Sequence, residues 1–218
     1  YFKTAFPKQR TIVFIDENFI AKNQLGKQIS SLFDIEVIVS TAVEPTTNYI
    51  DGLIDKYSNS FEFSVVCGVG GGITLDTAKA FSNLLKNPGK AKEYQGWDLL
   101  KERGVFKIGI PTISGTGAEA TRTCVMTNVQ SKLKLGMNSD YTVFDKIYLD
   151  PSLTKTVPRD QYFYTAMDAY IHCMEALSGS YRNPVGDSLS REAISLCREV
   201  FSGANDMMSD ENRSKLMV

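Results

Sequence analysis

The chain has few of the residues that mark a metal site, a disulfide framework or a nucleic-acid surface. Its 218 residues include one histidine, His172, and four cysteines without Cys-x-x-Cys spacing. Three of the cysteines lie in apolar segments, where reduced buried thiols are common, which favours a reducing, cytoplasmic location. The formal net charge is −1 and the lysines and arginines are dispersed, so nucleic acid and anionic membranes are not expected as partners.

Long apolar runs are also missing. No stretch approaches the length of a membrane-spanning helix, and the first apolar run, at residues 11–15, is too short for a secretory signal. There are no internal repeats or low-complexity tracts. Hydrophobic residues make up 43% of the chain, enough for an ordinary core, so one large domain or two small ones are expected.

Short apolar runs alternate with amphipathic segments over the first two thirds of the chain, which is typical of an α/β domain with a mainly parallel sheet. The predicted strands are 11–15, 35–40, 63–69, 107–112 and 146–150, and the predicted helices are 19–33, 47–57 and 74–85. After Asp150 the pattern predicts only helices, at 160–177, 187–201 and from 209 onward, with Pro151 and Pro158 in first turns. We therefore predict an α/β domain at 1–150 and the start of an all-helical domain at 151–218. The last helix ends on apolar residues without a stop signal, so the protein is expected to continue.

Three glycines, Gly70, Gly71 and Gly72, lie between a predicted strand and a predicted helix. Backbone amides in such a turn can approach a phosphate, and the helix N-terminus adds partial positive charge. The Gly-x-Gly-x-x-Gly fingerprint is absent, and a tight strand-to-helix turn would use the same glycines. Both interpretations stay open.

A second candidate phosphate-binding segment has the sequence PTISGTGAEAT, at 111–121. It also follows a predicted strand and offers hydroxyl groups, including those of Thr112 and Thr116, and the amides of two glycines. Glu119 can form a capping box with Thr116, three residues earlier, and this structural role does not exclude binding.

Asp16 ends the first predicted strand. A carboxylate at this position can accept a hydrogen bond from a ribose 2′-hydroxyl and repel a 2′-phosphate, which favours NAD over NADP. The structural alternative is a solvated turn residue or a helix N-cap.

Asp168 and His172 are four residues apart in a segment with a helical pattern, so they share one helix face. A carboxylate oxygen and an imidazole nitrogen placed in this way can bind one divalent metal ion. A catalytic metal site usually has at least three protein ligands and an open position, so other ligands must come from carboxylates, another chain or further sequence. The alternative is a hydrogen-bonded pair on the helix surface.

Three segments, GVGGGITLDTAKA (68–80), PTISGTGAEAT (111–121) and MDAYIHCMEAL (167–177), carry a family resemblance in their order along the chain. The sequence from about residue 11 to 218 resembles the iron-containing, or group III, alcohol dehydrogenases, which are related to dehydroquinate synthase. The resemblance implies that 1–150 is a dinucleotide-binding domain and that 151–218 begins a helical metal-binding domain. It also implies NAD(H) and a divalent metal ion as cofactors, with Fe²⁺ favoured over Mn²⁺ or Zn²⁺.

The resemblance also assigns roles to single residues. Asp168 and His172 match the first two metal ligands and are the implied catalytic residues, and this sequence ends before the two further histidine ligands of the family. Ile73 departs from the family, which usually has a serine there. The residues implied at the cofactor are Asp16, Gly70, Gly71, Gly72, Asp76, Thr112, Thr116 and Lys134.

Within the family, the segments 94–101, 117–123, 139–145 and 164–177 resemble 3-deoxy-manno-octulosonate 8-oxidases. These enzymes oxidise the C8 hydroxyl of an octulosonic acid for 8-amino sugar formation in lipopolysaccharide. A small alcohol or sugar acid is then the expected substrate, with Arg122, Lys101 or Arg159 at its carboxylate, and a homodimer is the expected assembly. Another alcohol or polyol dehydrogenase, a dehydroquinate synthase-like lyase and a nucleotide-binding fragment without activity stay open.

Overall fold

The computed structural model describes residues 10–203 and 206–217. Two compact units divide the chain: the first runs to Pro111 and resumes at Ala118–Tyr148, and the second comprises Thr112–Gly117 and the chain from Leu149 onward. The ends of the predicted domains at residues 1–9 and at Val218, and residues 204–205, lie outside the described part.

The described residues of the first unit form eight strands: β1 (Arg10–Asp16), β2 (Ile35–Val39), β3 (Phe63–Gly70), β4 (Gly96–Trp97), β5 (Phe106–Pro111), β6 (Thr123–Thr127), β7 (Lys134–Asn138) and β8 (Lys146–Ile147). Five of them form a parallel sheet in the order β2-β1-β3-β5-β8. In β1, the side chains from Ile12 to Ile15 are fully buried, as expected for a parallel strand covered on both faces.

A second, three-stranded sheet in the order β4-β7-β6 was not predicted. Strands β6 and β7 are antiparallel and β4 pairs parallel with β7. The sequence signal is weak because β7 reads KLGMN and β4 has only two residues. Only Cys124, Met126 and Met137 of this sheet are buried, and they share the core of the first unit.

The helices are α1 (Glu17–Lys22), α2 (Gln24–Ser30), α3 (Thr47–Tyr57), α4 (Gly72–Leu84), α5 (Arg159–Ser178), α6 (Pro184–Ser202) and α7 (Asp210–Met217). The prediction of one helix at 19–33 was wrong: Asn23 ends α1 and caps α2, where its side chain accepts from the Leu25 amide at 2.9 Å.

Two further predictions at the boundary between sheet and helices need correction. Of the strand predicted at 146–150, only Lys146 and Ile147 form a strand, β8. Asp150 instead caps a short 3₁₀ helix that begins at Pro151. Pro158 is the N-cap of α5 and not part of its first turn.

Helix α4 is central to the first unit, and most of its residues are buried. Phe81 packs edge-to-face on Phe14 of β1, with ring centres 5.0 Å apart. Gly68 of β3 admits the helix closely, because a Cβ at Gly68 would lie 3.0 Å from the Cβ of Ala78. This packing fixes where the N-terminus of α4 meets the end of β3.

In the second unit, helices α5 and α6 pack against each other, and Arg213 of α7 donates to the Thr154 carbonyl at 2.6 Å. Among the described residues, no strand lies beyond Asp150. The predicted fold class, a parallel-sheet α/β domain followed by helices, is confirmed. None of the described helices combines the length and hydropathy that crossing a membrane requires.

Candidate functional site

The glycine turn between β3 and α4 is narrow and uncapped. A Cβ at Gly70 would lie 2.7 Å from Oγ1 of Thr74 and 2.9 Å from Cβ of Asp16, so only glycine fits there. Gly71 is the N-cap of α4, and no described side chain caps it. The first amides of α4 therefore keep their hydrogen-bonding capacity and the positive end of the helix dipole, which suits a phosphate.

Asp16 lies beside this turn and is the N-cap of α1. Its Oδ1 accepts from the amides of Asn18 at 2.7 Å and Phe19 at 3.1 Å, as the structural alternative predicted. Burial raises the pKa of Asp16 above its ordinary value, although hydrogen bonds from these amides and from Gly71 oppose the shift. A carboxylate thus adjoins the glycine turn at the carboxyl end of β1, and its role at a ribose stays a prediction.

Asp76 and Lys134 already have partners in the protein. Oδ2 of Asp76 accepts from the Val125 amide at 2.9 Å, which joins α4 to β6, and burial raises the pKa of Asp76 to about 6. Lys134 forms an exposed ion pair with Glu44 at 2.7 Å. Both members of that pair act on the pKa of Asp76, so the three charges lie near one another. Their contacts to a cofactor stay predictions.

Lys79 is a buried cation whose role no pattern in the sequence indicates. Its Nζ donates to the carbonyls of Ala118 at 2.5 Å, Thr121 at 2.8 Å and Thr123 at 2.9 Å, and to Oγ1 of Thr121 at 3.1 Å. Burial lowers the pKa of Lys79, and Asp76 opposes that shift. These hydrogen bonds hold the segment that follows Gly117 in place. The only sign of this role in the sequence is the lysine itself, at position 79 in DTAKA.

The segment Thr112–Gly117 belongs to the second unit and touches α5. Gly115 has a φ of +114°, and a Cβ there would lie 1.9 Å from the Thr165 carbonyl oxygen. Thr112 is buried, and so is Ser114, whose Oγ has no hydrogen-bond partner among the described residues. Buried polar atoms of this kind often bind a water or a ligand.

The capping box predicted between Thr116 and Glu119 is wrong. Gly117 takes a φ of +62°, and residues 118–120 form a turn instead of the first turn of a helix. Burial raises the pKa of Glu119 above its ordinary value, with Lys79 acting in the opposite direction.

Asp168 and His172 lie together on one exposed face of α5. The distance from Oδ2 of Asp168 to Nδ1 of His172 is 3.6 Å, too long for a hydrogen bond, and the side chains are 51% and 63% exposed. Two ligands of one tetrahedral ion are roughly 3.4 Å apart, so the pair fits two positions of a metal shell. Within the described residues, no group of three or more His, Cys, Asp or Glu side chains is arranged to hold a metal ion.

Comparison with known proteins identifies the family. The family model described as iron-containing alcohol dehydrogenase matches residues 2–151. The chain belongs to this family. The family-level resemblance inferred from the three sequence segments is therefore confirmed.

Among curated proteins, the chain is 36% identical over 154 residues to the sulfoacetaldehyde reductase of Bilophila wadsworthia (strain 3_1_6), covering 71% of this chain and 40% of that protein. It is 31% identical over 193 residues to long-chain-alcohol dehydrogenase 1 of Geobacillus thermodenitrificans (strain NG80-2), covering 85% and 48%. The chain thus spans about half the length of the curated relatives it matches.

Solved structures share the fold. The sulfoacetaldehyde reductase of Bifidobacterium kashiwanohense in complex with NAD⁺ superposes with a TM-score of 0.83 at 22% identity, covering 99% of this chain and 58% of that chain. The NADH-dependent butanol dehydrogenase A of Thermotoga maritima gives 0.82 at 24% identity, covering 99% and 56%.

Of the three cations considered for a substrate carboxylate, Arg122 is already paired. Its guanidinium bonds to Asp98 and lies 3.1 Å from Oδ1 of Asp140. Lys101 and Arg159 are exposed, and neither forms an ion pair with another described residue. Two partner carboxylates make Arg122 the least suitable of the three in this family member.

Proposed function

We propose that this chain is part of a metal-dependent, NAD-dependent oxidoreductase that interconverts a primary alcohol and an aldehyde. The observation that carries the proposal is the contact between Gly115 and Thr165. It holds the segment expected to bind the nicotinamide against the helix that presents Asp168 and His172. Membership of the iron-containing alcohol dehydrogenases and a structural relative solved with NAD⁺ support the same cofactors.

The residues of the first unit would bind the dinucleotide. The first amides of α4, which no described side chain caps, suit its diphosphate, and Asp16 would accept from the hydroxyls of the adenosine ribose while repelling a 2′-phosphate. Ile73 offers no hydroxyl where the family usually has a serine, so backbone amides carry more of the phosphate binding. NAD(H) is therefore the expected cofactor, in preference to NADP(H).

The residues of the second unit would act on the alcohol. Asp168 and His172 would hold a divalent ion, Fe²⁺ by family, together with ligands beyond the described residues. When bound, such an ion supplies Lewis acidity that lowers the pKa of a bound alcohol. Thr112 and Thr116 would orient the nicotinamide from the segment that Gly115 fixes on α5.

The substrate we propose is 3-deoxy-manno-octulosonate, oxidised at its C8 hydroxyl, in a cytoplasmic homodimer. The resemblance of four segments to octulosonate 8-oxidases supports it. Lys101 and Arg159, which form no ion pair with another described residue, would be available for a sugar carboxylate. Free cysteines at all four positions suit a reducing compartment. A second candidate is reduction of a small aldehyde sulfonate, because a curated relative at 36% identity is named sulfoacetaldehyde reductase.

The test is a substrate comparison on the complete protein loaded with Fe²⁺. NADH formation is followed with 3-deoxy-manno-octulosonate, and NADH consumption with sulfoacetaldehyde, with an aliphatic diol as the general alcohol. The proposal predicts the highest kcat/KM for the octulosonate. A higher kcat/KM for sulfoacetaldehyde would contradict octulosonate as the substrate but agree with the proposed reaction class. The absence of nicotinamide-linked turnover with every substrate would contradict the reaction class itself.

A further inference from the structure

Three segments far apart in the sequence meet at one surface of the first unit. They are 94–101, 117–123 and 139–145, and they meet through Trp97, Asp98, Arg122 and Asp140, which we name the Trp97 face. The guanidinium of Arg122 bonds to Asp98, is paired with Asp140 at 3.1 Å, and has its central carbon 5.9 Å from the centre of the Trp97 ring. Trp97 is the only tryptophan of the chain and is 71% exposed.

The backbone holds Trp97 firmly despite this exposure. Trp97 pairs with Asn138 in the small sheet, the Asp98 amide donates to the Asn138 carbonyl at 2.7 Å, and Nδ2 of Asn138 donates to the Gly96 carbonyl at 2.9 Å. A large aromatic side chain on a fixed backbone loses little entropy when a ligand covers it, which is typical of binding anchors.

The backbone at Asp98 is a second feature of this face. Its φ is +54°, a left-handed conformation that glycine adopts freely and that costs other residues energy, aspartate less than most. The strained position carries a carboxylate that is largely exposed and directed to Arg122. Local strain of this kind concentrates at binding sites.

The chemistry of the Trp97 face suits a sugar ring. The exposed face of the indole carries partial negative charge, which attracts the polarised C–H bonds of a pyranose, and two carboxylates beside it accept from hydroxyl groups. Two carboxylates against one guanidinium leave the face with net negative charge, which disfavours an anion. We propose that the Trp97 face binds a neutral carbohydrate ring stacked on Trp97. This site does not depend on the proposed oxidoreductase activity.

The test uses the complete protein and methyl α-mannopyranoside as the probe. Binding is followed by saturation-transfer NMR, and also by the fluorescence of Trp97 if the complete protein has no second tryptophan. We expect saturable binding with a Kd in the millimolar range. Trp97→Ala should weaken it at least about tenfold, since it removes the stacking surface. Tyr181→Ala is the matched control: Tyr181 is fully exposed, also next to an arginine, and its loss should leave the Kd within about twofold.

A second variant, Asp98→Gly, tests the contribution of the carboxylate to binding separately from any effect on folding. Asp98→Gly relieves the left-handed strain, so the melting temperature should not fall, while loss of the acceptor should weaken binding about threefold. The anionic 3-deoxy-manno-octulosonate should bind this face more weakly than the neutral glycoside. The proposal is overturned by the absence of saturable binding, by equal affinity in Trp97→Ala, or by tighter binding of the anion. A change of oligomeric mass in Trp97→Ala without sugar binding would identify the face as a protein interface instead.

Discussion

Gly115 and Thr165 touch backbone to backbone: a Cβ on Gly115 would lie 1.9 Å from the Thr165 carbonyl oxygen and 2.4 Å from its carbon. Thr165 lies one helical turn before Asp168. The absence of a side chain at Gly115 therefore allows the segment Thr112–Gly117 to approach α5, the helix that carries the two expected metal ligands.

Replacing Gly115 should disrupt this contact and destabilise the fold. Gly115→Ala adds a methyl group into a backbone carbonyl at a φ of +114°, and we expect a loss of about 2–4 kcal/mol in the free energy of unfolding. Gly117→Ala is the matched control, because Gly117 also has a positive φ, +62°, but no atom within 4 Å of its Cβ position. It should cost about 1 kcal/mol. Equal losses in urea titrations would contradict the steric role of Gly115.

Lys79 should be among the costliest lysines to remove. Lys79→Met removes the charged donor that the carbonyls of Ala118, Thr121 and Thr123 share, and we expect a loss of at least about 2 kcal/mol in the free energy of unfolding. Lys90→Met is the control, because Lys90 forms only an exposed ion pair with Asp55 at 3.7 Å. That change should cost under about 1 kcal/mol. Similar losses in the two variants would show that the Lys79 contacts do not stabilise the fold.

The sequence predicted the main sheet because its strands are near-continuous apolar runs, as in β1 and β3. It missed the small sheet because β6 and β7 have no comparable run, and their packing against α4 depends on residues far away in the chain. It placed Asp168 and His172 on one face because that relation is local. It could not assign Lys79 or Arg122, since their partners are separated by 39–44 residues for Lys79 and by 24 residues for Asp98.

Stability should rise with pH above neutrality because of Lys107. This residue is fully buried, its Nζ has no hydrogen-bond partner among the described residues, and burial lowers its pKa from 10.5 to about 8. Between these values the unfolded chain binds the proton and the folded chain does not, so folding becomes more favourable as pH rises. The gain in the free energy of unfolding from the deprotonation of Lys107 is complete above pH 10.5 and is lost as pH falls through about 8.

Lys107→Met tests this dependence. Removing the buried ammonium should stabilise the fold at pH 7 by roughly 3 kcal/mol at most and flatten the rise in the free energy of unfolding between pH 8 and 10. Urea titrations at stepped pH measure both effects. Parallel pH curves for the two proteins would show that Lys107 does not titrate in this window.

Two substitutions of Asp16 should separate its role as the N-cap of α1 from its expected role in the choice between NAD⁺ and NADP⁺. Asp16→Asn keeps an acceptor for the amides of Asn18 and Phe19 but removes the charge, so stability should change by under about 0.5 kcal/mol. Asp16→Ala removes the cap as well and should cost about 1 kcal/mol. In calorimetry on the complete protein, both variants should lose preference for NAD⁺ over NADP⁺, because the repulsion of the 2′-phosphate is gone. An unchanged preference in Asp16→Asn would remove Asp16 from the ribose site.

The metal prediction depends on Asp168 and His172 acting as a pair. Their 3.6 Å separation fits two ligands of one ion, but in the described residues no third ligand joins them, so metal should bind weakly to the 218-residue chain. In the complete protein, His172→Ala should lower iron occupancy at least about tenfold and abolish alcohol oxidation, because the hydroxyl is no longer polarised.

Asp160→Asn is the control for this experiment, since Asp160 is an exposed carboxylate in the first turn of the same helix. It should leave iron content and turnover unchanged. Metal analysis and NADH formation are measured side by side on the parent protein and both variants. Equal iron and equal rates in the parent and His172→Ala would mean that Asp168 and His172 form only a surface ion pair. Loss of activity with full iron occupancy would instead assign His172 to the substrate and not to the metal.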